Sequence, residues 1–222
     1  MSVTPPRWSS PVALYEAALG GASVVVVQDD RVRPLDVSTW SAPATASDDV
    51  LLARCTPPVL DVGCGPGRLA AELTRRGVAC LGIDVSRDAV RRTRDRGAVS
   101  LRRAVEAPLP GEGRWGSVLL ADGNIGIGGD PVALLARCAA LVRADGVVLV
   151  ETDPDRAEYD VAPITLQAED GRRSRALPWA RVGADALREV AEDAGLSVAE
   201  EWTAGGRTVV VLRLDRGVAE SR

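Results

Sequence analysis

The residues best equipped for chemistry gather around one stretch, Val59-Leu60-Asp61-Val62-Gly63-Cys64-Gly65-Pro66-Gly67-Arg68-Leu69. An apolar strand ends, three glycines fall at alternate positions, and a helical pattern begins. Such a loop keeps side chains out of the turn and presents a helix N-terminus to a ligand. The dinucleotide fingerprint would need a small residue three places after the second glycine, and Arg68 stands there. The spacing is instead GxGxG, with Asp61 two residues before it. Asp84 follows Gly67 by seventeen residues, at the end of the next apolar run. A carboxylate in that position can accept both hydroxyls of a ribose. Two later stretches add polar groups where further strands end. In Ala121-Asp122-Gly123-Asn124-Ile125-Gly126-Ile127-Gly128-Gly129-Asp130, glycines permit close backbone approach, and Asp122 and Asn124 are the candidates to face a reacting atom. Glu151-Thr152-Asp153-Pro154-Asp155 clusters acids that oxygen-loving cations could use. Such clusters more often cap an element or face water, and no metal site is assigned.

Composition excludes much of the alternative chemistry. The 222 residues contain no histidine and no phenylalanine, and all 27 basic residues are arginine. Schiff-base lysines, phosphate-loop lysines, Ser-His-Asp triads and imidazole metal sites are therefore impossible. The net charge of −4 argues against a general nucleic-acid binder. Cys55, Cys64, Cys80 and Cys138 form no CxxC pair and read as reduced, mostly buried thiols of a cytoplasmic protein. Met1–Ser10 has no apolar core, so no signal peptide is expected, and no apolar run approaches membrane length. The arginines from Arg87 to Arg103 read as a solvated helix face, with Asp88–Arg92 and Arg91–Asp95 as i,i+4 pairs.

The elements that must position these residues follow from periodicity. Residues 1–57 read as an N-terminal addition, a helix and hairpin on the lid or substrate side. It holds a helix over Pro11–Leu19 stopped by Gly20-Gly21, a hairpin of Ser23–Gln28 and Arg31–Val37, a loop of small residues at Ser41–Ser47, and a short helix capped by Asp48 through Arg54. From 58 to 215 strands and helices alternate. Strands are expected at Val59–Val62, Val78–Asp84, Ala98–Arg102, Trp115–Ala121 and Val147–Glu151, the last after an Asp145-Gly146 turn. Helices are expected at Gly67–Arg76, from a Ser86 cap to Arg96, and from Asp130-Pro131 to about Arg143. Ile164–Ala168 and Arg172–Val182 look like an inserted hairpin, and Asp185–Ala194 like a further helix. Leu196–Trp202 and Thr208–Leu214 are joined too tightly for a parallel crossover. The expected fold is α/β: a Rossmann-like, doubly wound, mostly parallel seven-stranded sheet with the last strand antiparallel. The tail at 216–222 is expected to fray.

With these motifs the chain resembles the class I S-adenosylmethionine-dependent methyltransferases. Asp61-Val62-Gly63-Cys64-Gly65-Pro66-Gly67 is close to their glycine-loop consensus, and Gly82-Ile83-Asp84-Val85-Ser86 to their second-strand motif. The similarity of element order spans about Val59 to Leu214. The resemblance implies S-adenosylmethionine as cofactor. It implies close packing of Gly63, Gly65 and Gly67 on the methionine part and ribose, and of the Cys64 backbone nearby. Asp61 would serve the amino end, Asp84 the ribose and Val85 the adenine face. The chain departs from the family after the third strand, where an acid for the adenine amino group would fall at Ala104 or Val105; Glu106 is the candidate substitute.

The stretch after Asp122 lacks the Asn/Asp-Pro-Pro-aromatic signature of nucleobase methylation, and no Pro-Cys pair is present. The expected activity is methyl transfer to a small-molecule acceptor, without nucleic-acid or membrane partners. The insertions, with Tyr15, Trp40, Trp179 and Arg181, are expected to form a lid. A non-catalytic cofactor-binding protein and a non-methylating enzyme, such as a cyclase, remain the alternatives on this scaffold.

Overall fold

The computed structural model describes residues 7–215, so the expected frayed tail lies outside the described residues. The N-terminal region holds β1 (Arg7–Ser9), α1 (Pro11–Leu19), β2 (Val24–Gln28), β3 (Arg31–Pro34), α2 (Val37–Ser41) and α3 (Ala46–Leu52). The alternating region follows with β4 (Val59–Val62), α4 (Arg68–Arg75), β5 (Cys80–Asp84), α5 (Arg87–Asp95), β6 (Val99–Arg102) and β7 (Trp115–Leu120). After a 3₁₀ turn at Asn124–Gly126 come α6 (Pro131–Leu141) and β8 (Val142–Glu151). The insertion carries β9 (Tyr159–Val161), β10 (Thr165–Ala168), β11 (Arg172–Ser174) and β12 (Ala180–Val182). The chain then runs through α7 (Ala184–Asp193), β13 (Leu196–Ala204) and β14 (Arg207–Leu214).

The main sheet has seven strands in the order β13-β14-β8-β7-β4-β5-β6. The five strands from β8 to β6 run parallel, and β14 lies antiparallel to both β8 and β13. Alternation along each strand feeds two cores, because successive side chains point to opposite faces. Leu60, Val118, Leu120 and Val148 join Leu135 and Leu187 on the side of α6 and α7. Val59, Leu119 and Leu149 join Leu51, Leu69 and Leu73 on the side of α3 and α4. The crossover rule then puts the ends of β4, β5, β7 and β8 at one rim, where ligands of such sheets sit.

The two additions build one structure over that rim. Hairpin β2–β3 and strands β10, β11 and β1 form a single five-stranded sheet, ordered β1-β11-β10-β2-β3. Leu14 and Ala18 of α1 pack with Val24, Val26, Ile164 and Leu166 into its core. Glu16 ties this lid to the main domain. Its carboxylate accepts from Ser86 Oγ (3.0 Å) and from the amides of Arg87 (2.9 Å) and Asp88 (3.3 Å) at the N-terminus of α5. An anion there meets otherwise unpaired amides and the positive end of the helix dipole. Glu16→Ala is expected to lower stability by about 1–2 kcal/mol, read by urea unfolding, with faster exchange of the Arg87 and Asp88 amides.

Several local expectations are corrected. Thr45, not Asp48, caps α3; Asp48 is its third residue and closes a capping box by accepting from the Thr45 amide at 2.7 Å. The β3 strand stops at Pro34, and Val37–Ser41 is helical because Asp36 caps it through the Thr39 amide. The β8 strand begins at Val142, so Asp145-Gly146 lies inside an irregular strand rather than before it. The return of the inserted hairpin splits: β11 pairs with β10 and β1, while β12 pairs with β9. Arg92 does not pair with Asp88; its guanidinium donates to the Leu19 carbonyl at the end of α1, at 2.6 Å, and Asp88 pairs with Arg91.

Candidate active site

The glycine loop is held from three sides. Gly63 and Gly67 have φ of 68° and 85°, the left-handed region open to glycine. Gly67 could carry no side chain in any case, since a Cβ there would lie 2.7 Å from the Thr93 side chain. Asn124 Nδ2 donates to the carbonyls of Val62 (2.8 Å) and Gly63 (3.1 Å). Thr93 Oγ1 donates to the Gly65 carbonyl at 2.9 Å. Asp84 accepts from the Gly65 amide at 3.0 Å and from the Ser86 amide at 2.7 Å. Burial raises the Asp84 proton affinity, and these amides counter part of that rise.

Asp61 is the most unusual carboxylate of the site. Its exposure is only 2%, and its Oδ2 has no hydrogen-bond partner. Burial, with help from the nearby Asp122 charge, pushes its pKa to about 7. Cys64 packs beside it and fills the space over Gly82, where a Cβ would meet Sγ at 2.7 Å. Burial and the charges of Asp61 and Asp84 push the Cys64 thiol well above its ordinary value, in keeping with a space-filling side chain. Val85 lies past the end of β5, 50% exposed and lining the cavity. Glu106 also lines the cavity, exposed, while Val105 is turned into the core.

Asp122 faces the same cavity, but its carboxylate is engaged. Arg68 donates to both of its oxygens, at 2.8 and 2.6 Å. Arg68 also bonds Asp48, which is fully buried. Arg207, at the start of β14, reaches Asp48 at 2.5 Å and Glu151 at 2.6 and 2.7 Å. Burial acts to raise the Asp48 pKa, but the bonds from Arg68, the Thr45 amide and Arg207 hold it at about 2. Asp153 pairs with Arg181 at 3.0 Å. Among the described residues no group of three or more His, Cys, Asp or Glu has the arrangement to hold a metal ion.

These groups surround one cavity of about 1080 Å³, roofed by the lid. That exceeds the ~300–1,000 Å³ usual for a single drug-sized ligand, leaving room for two molecules. Asp61, Asp84 and the glycine loop stand at its sheet side; Tyr15, Trp40 and Trp179 come from the additions. Tyr15 and Trp40 meet edge to face, with centroids 6.3 Å apart. The sequence pattern assigns neither Arg68 nor Arg207 a role in the site. A signal for Arg207 existed: a reversed strand begins at the rim where its parallel neighbours end.

Fold and loop together define a Rossmann-like α/β protein with a nucleoside-sized site at the carboxyl rim of its sheet. Residues 59–146 match the family model of a methyltransferase domain. Among solved structures, a SAM-dependent methyltransferase from Bacteroides fragilis in complex with S-adenosyl-L-homocysteine aligns over 96% of this chain and 98% of that one, with a TM-score of 0.76 and 18% identity. The 1,6-didemethyltoxoflavin-N1-methyltransferase of Burkholderia thailandensis aligns over 96% and 93%, with a TM-score of 0.60 and 19% identity. The CcbJ methyltransferase of Streptomyces caelestis aligns over 79% and 92%, with a TM-score of 0.59 and 18% identity. At these identities the likeness is one of fold. No curated protein matches in sequence.

No helix among the described residues is long and apolar enough to cross a membrane.

Proposed function

We propose that this protein transfers the methyl group of S-adenosylmethionine to a small-molecule acceptor held beneath the lid. The observation that carries the reading is the unpartnered, buried Asp61 oxygen beside the glycine loop. A buried carboxylate without a partner is costly unless a ligand supplies the counter-charge. The cofactor's ammonium group is such a counter-charge. Asp84 then serves the ribose, Val85 the adenine face, and the backbone of Gly63, Cys64, Gly65 and Gly67 the chain between. Glu106, the carboxylate of the loop after β6 that lines the cavity, is assigned to the adenine amino group.

When bound, the cofactor supplies an already activated, electrophilic methyl carbon. The protein's part is alignment and exclusion of water. The rim acids are committed elsewhere: Asp122 to Arg68, Glu151 to Arg207, Asp153 to Arg181. Burial and the neighbouring Asp84 charge push the Tyr15 phenol up, so it supplies no phenolate near neutral pH. Asp155, the remaining acid of that rim, accepts from the Ala157 amide at 3.1 Å, and these engagements favour an accepting atom that is nucleophilic without a protein base. Asp122 and Asn124 act as positioning residues, the first through Arg68 and the second through the glycine loop. The small-molecule nature of the acceptor is supported by the roofed cavity and by the bound 1,6-didemethyltoxoflavin of the Burkholderia neighbour.

Titration with S-adenosylhomocysteine tests the cofactor site. The parent protein is expected to bind it, and Asp84→Ala to lose about 10- to 100-fold in affinity, as for a charge-assisted hydrogen-bond pair. Equal affinity in the two proteins would refute the ribose assignment.

A further inference from the structure

The lid sheet reverses the usual polarity along its edge strand. β3 pairs with β2 so that Arg31 stands opposite Gln28 and Arg33 opposite Val26. Opposed residues project from the same face, and all four line the cavity. Val32, between the arginines, points the other way and is 64% exposed. An antiparallel edge ordinarily turns apolar residues inward and charges to water. Here both arginines line the cavity while staying exposed to solvent, and the valine faces away. Inward charges can also guard an edge against pairing, but these two line a cavity and have no carboxylate partner among the described residues.

The nearby acids do not neutralise them. Asp153 and Glu158 pair with Arg181, at 3.0 and 3.1 Å, and Asp160 accepts from Gln28 Nε2 at 2.7 Å. Burial and the Arg181 charge lower the proton affinity of Arg33, and Asp153 offsets this only in part. Arg103, on the loop after β6, brings a third guanidinium to the cavity wall. Arg31 and Arg33 thus leave positive charge without an ion-pair partner among the described residues on the lid wall of the cavity, in a protein whose net charge is −4.

We propose that the methyl acceptor bears an oxyanion, a carboxylate or a phosphate, which docks on Arg31 and Arg33. The guanidinium fork matches either group in a two-point contact. Trp40 and Trp179 line the same cavity and offer apolar surface to the body of the acceptor. A carboxylate held by two guanidiniums is a weakened nucleophile, so the anion is the anchor and the methyl group goes to another atom. This rests on the methyl-transfer reading and adds the acceptor's chemical class to it.

Calorimetry on protein saturated with S-adenosylhomocysteine tests the idea, with 2-naphthoate, 2-naphthyl phosphate and neutral 2-naphthamide as probes. One or both anions are expected to bind at least about tenfold more tightly than the amide. Whichever anion binds better names the group. The double variant Arg31→Gln/Arg33→Gln is expected to lose that preference while keeping its affinity for S-adenosylhomocysteine, and Val32→Gln on the outer face to change neither. Equal binding of anion and amide, no binding of either anion, or an undiminished preference in the double variant overturns the proposal. A parent protein that fails to bind S-adenosylhomocysteine would overturn the methyl-transfer reading as well, and that failure shows in the first titration.

Discussion

Asp61→Asn is expected to keep its stability between pH 5 and pH 8, where the parent protein loses some, and to bind S-adenosylhomocysteine about 10- to 100-fold more weakly. Both effects come from one buried oxygen without a partner. The carboxyl has a pKa of about 7 in the folded chain, against 3.8 for the free side chain. The unfolded chain therefore gives up this proton more readily, and ionisation favours unfolding. The contribution is most favourable below pH 4, declines as pH rises toward 7, and is constant above. A shift of this size corresponds to a ceiling of about 4 kcal/mol, at ~1.4 kcal/mol per unit. Other groups titrate over the same range, so the informative quantity is the difference between the parent and variant melting curves across pH.

Binding should show the opposite face of the same linkage. A cationic ligand group needs the ionised carboxylate, so affinity in the parent protein should rise from pH 6 to pH 8. In Asp61→Asn it should be flat. Parallel melting curves in the two proteins, together with a pH-independent affinity in the parent, would mean that Asp61 is not the anchor. The prediction sets a residue that serves a ligand at the expense of the empty protein's stability, a common tension at functional sites.

What could be read beforehand was local. Strand β4, the glycine loop and α4 announce themselves because a short apolar run, alternate glycines and an amphipathic helix are adjacent in the chain. Ser86 as a cap and Asp130-Pro131 as a helix start are equally local, and both hold. The cofactor came from the family resemblance, not from composition. What was hidden depends on partners distant in sequence. Asp48 looks like a helix cap, yet its side chain meets Arg68 and Arg207, the latter 159 residues away. Arg92 has an acid at the correct helical spacing, but the carbonyl end of α1 competes for it and wins. The hairpin of β2 and β3 is legible; that β10, β11 and β1 complete its sheet is not, because register between remote strands leaves no trace in either strand alone. Asp145-Gly146 reads as a turn by residue type, whereas the sheet pulls it into an irregular strand.

The charge network at the cavity floor carries the second large effect. Arg68→Met is expected to destabilise the protein by about 3–5 kcal/mol, the range for breaking one partner of a buried ion pair. The reason is Asp48, whose side chain has 0% exposure and would keep only Arg207 and the amide and hydroxyl of Thr45. Removing both charges is different: Asp48→Leu/Arg68→Met should recover much of the loss, since apolar groups of similar size often replace a buried pair without net cost. A double-mutant cycle by urea unfolding would therefore give a large coupling between these two positions. Acid provides an independent reading. Asp48 is held at about 2, below its unfolded value, so its contribution is complete above pH 4 and disappears as pH falls through 2. The parent should lose stability steeply over that interval, and the double variant less so. Additive single losses would break the argument that α3, α4 and β14 are joined through these charges. Arg68 also fixes both oxygens of Asp122, so its removal releases a carboxylate at the cavity wall as well.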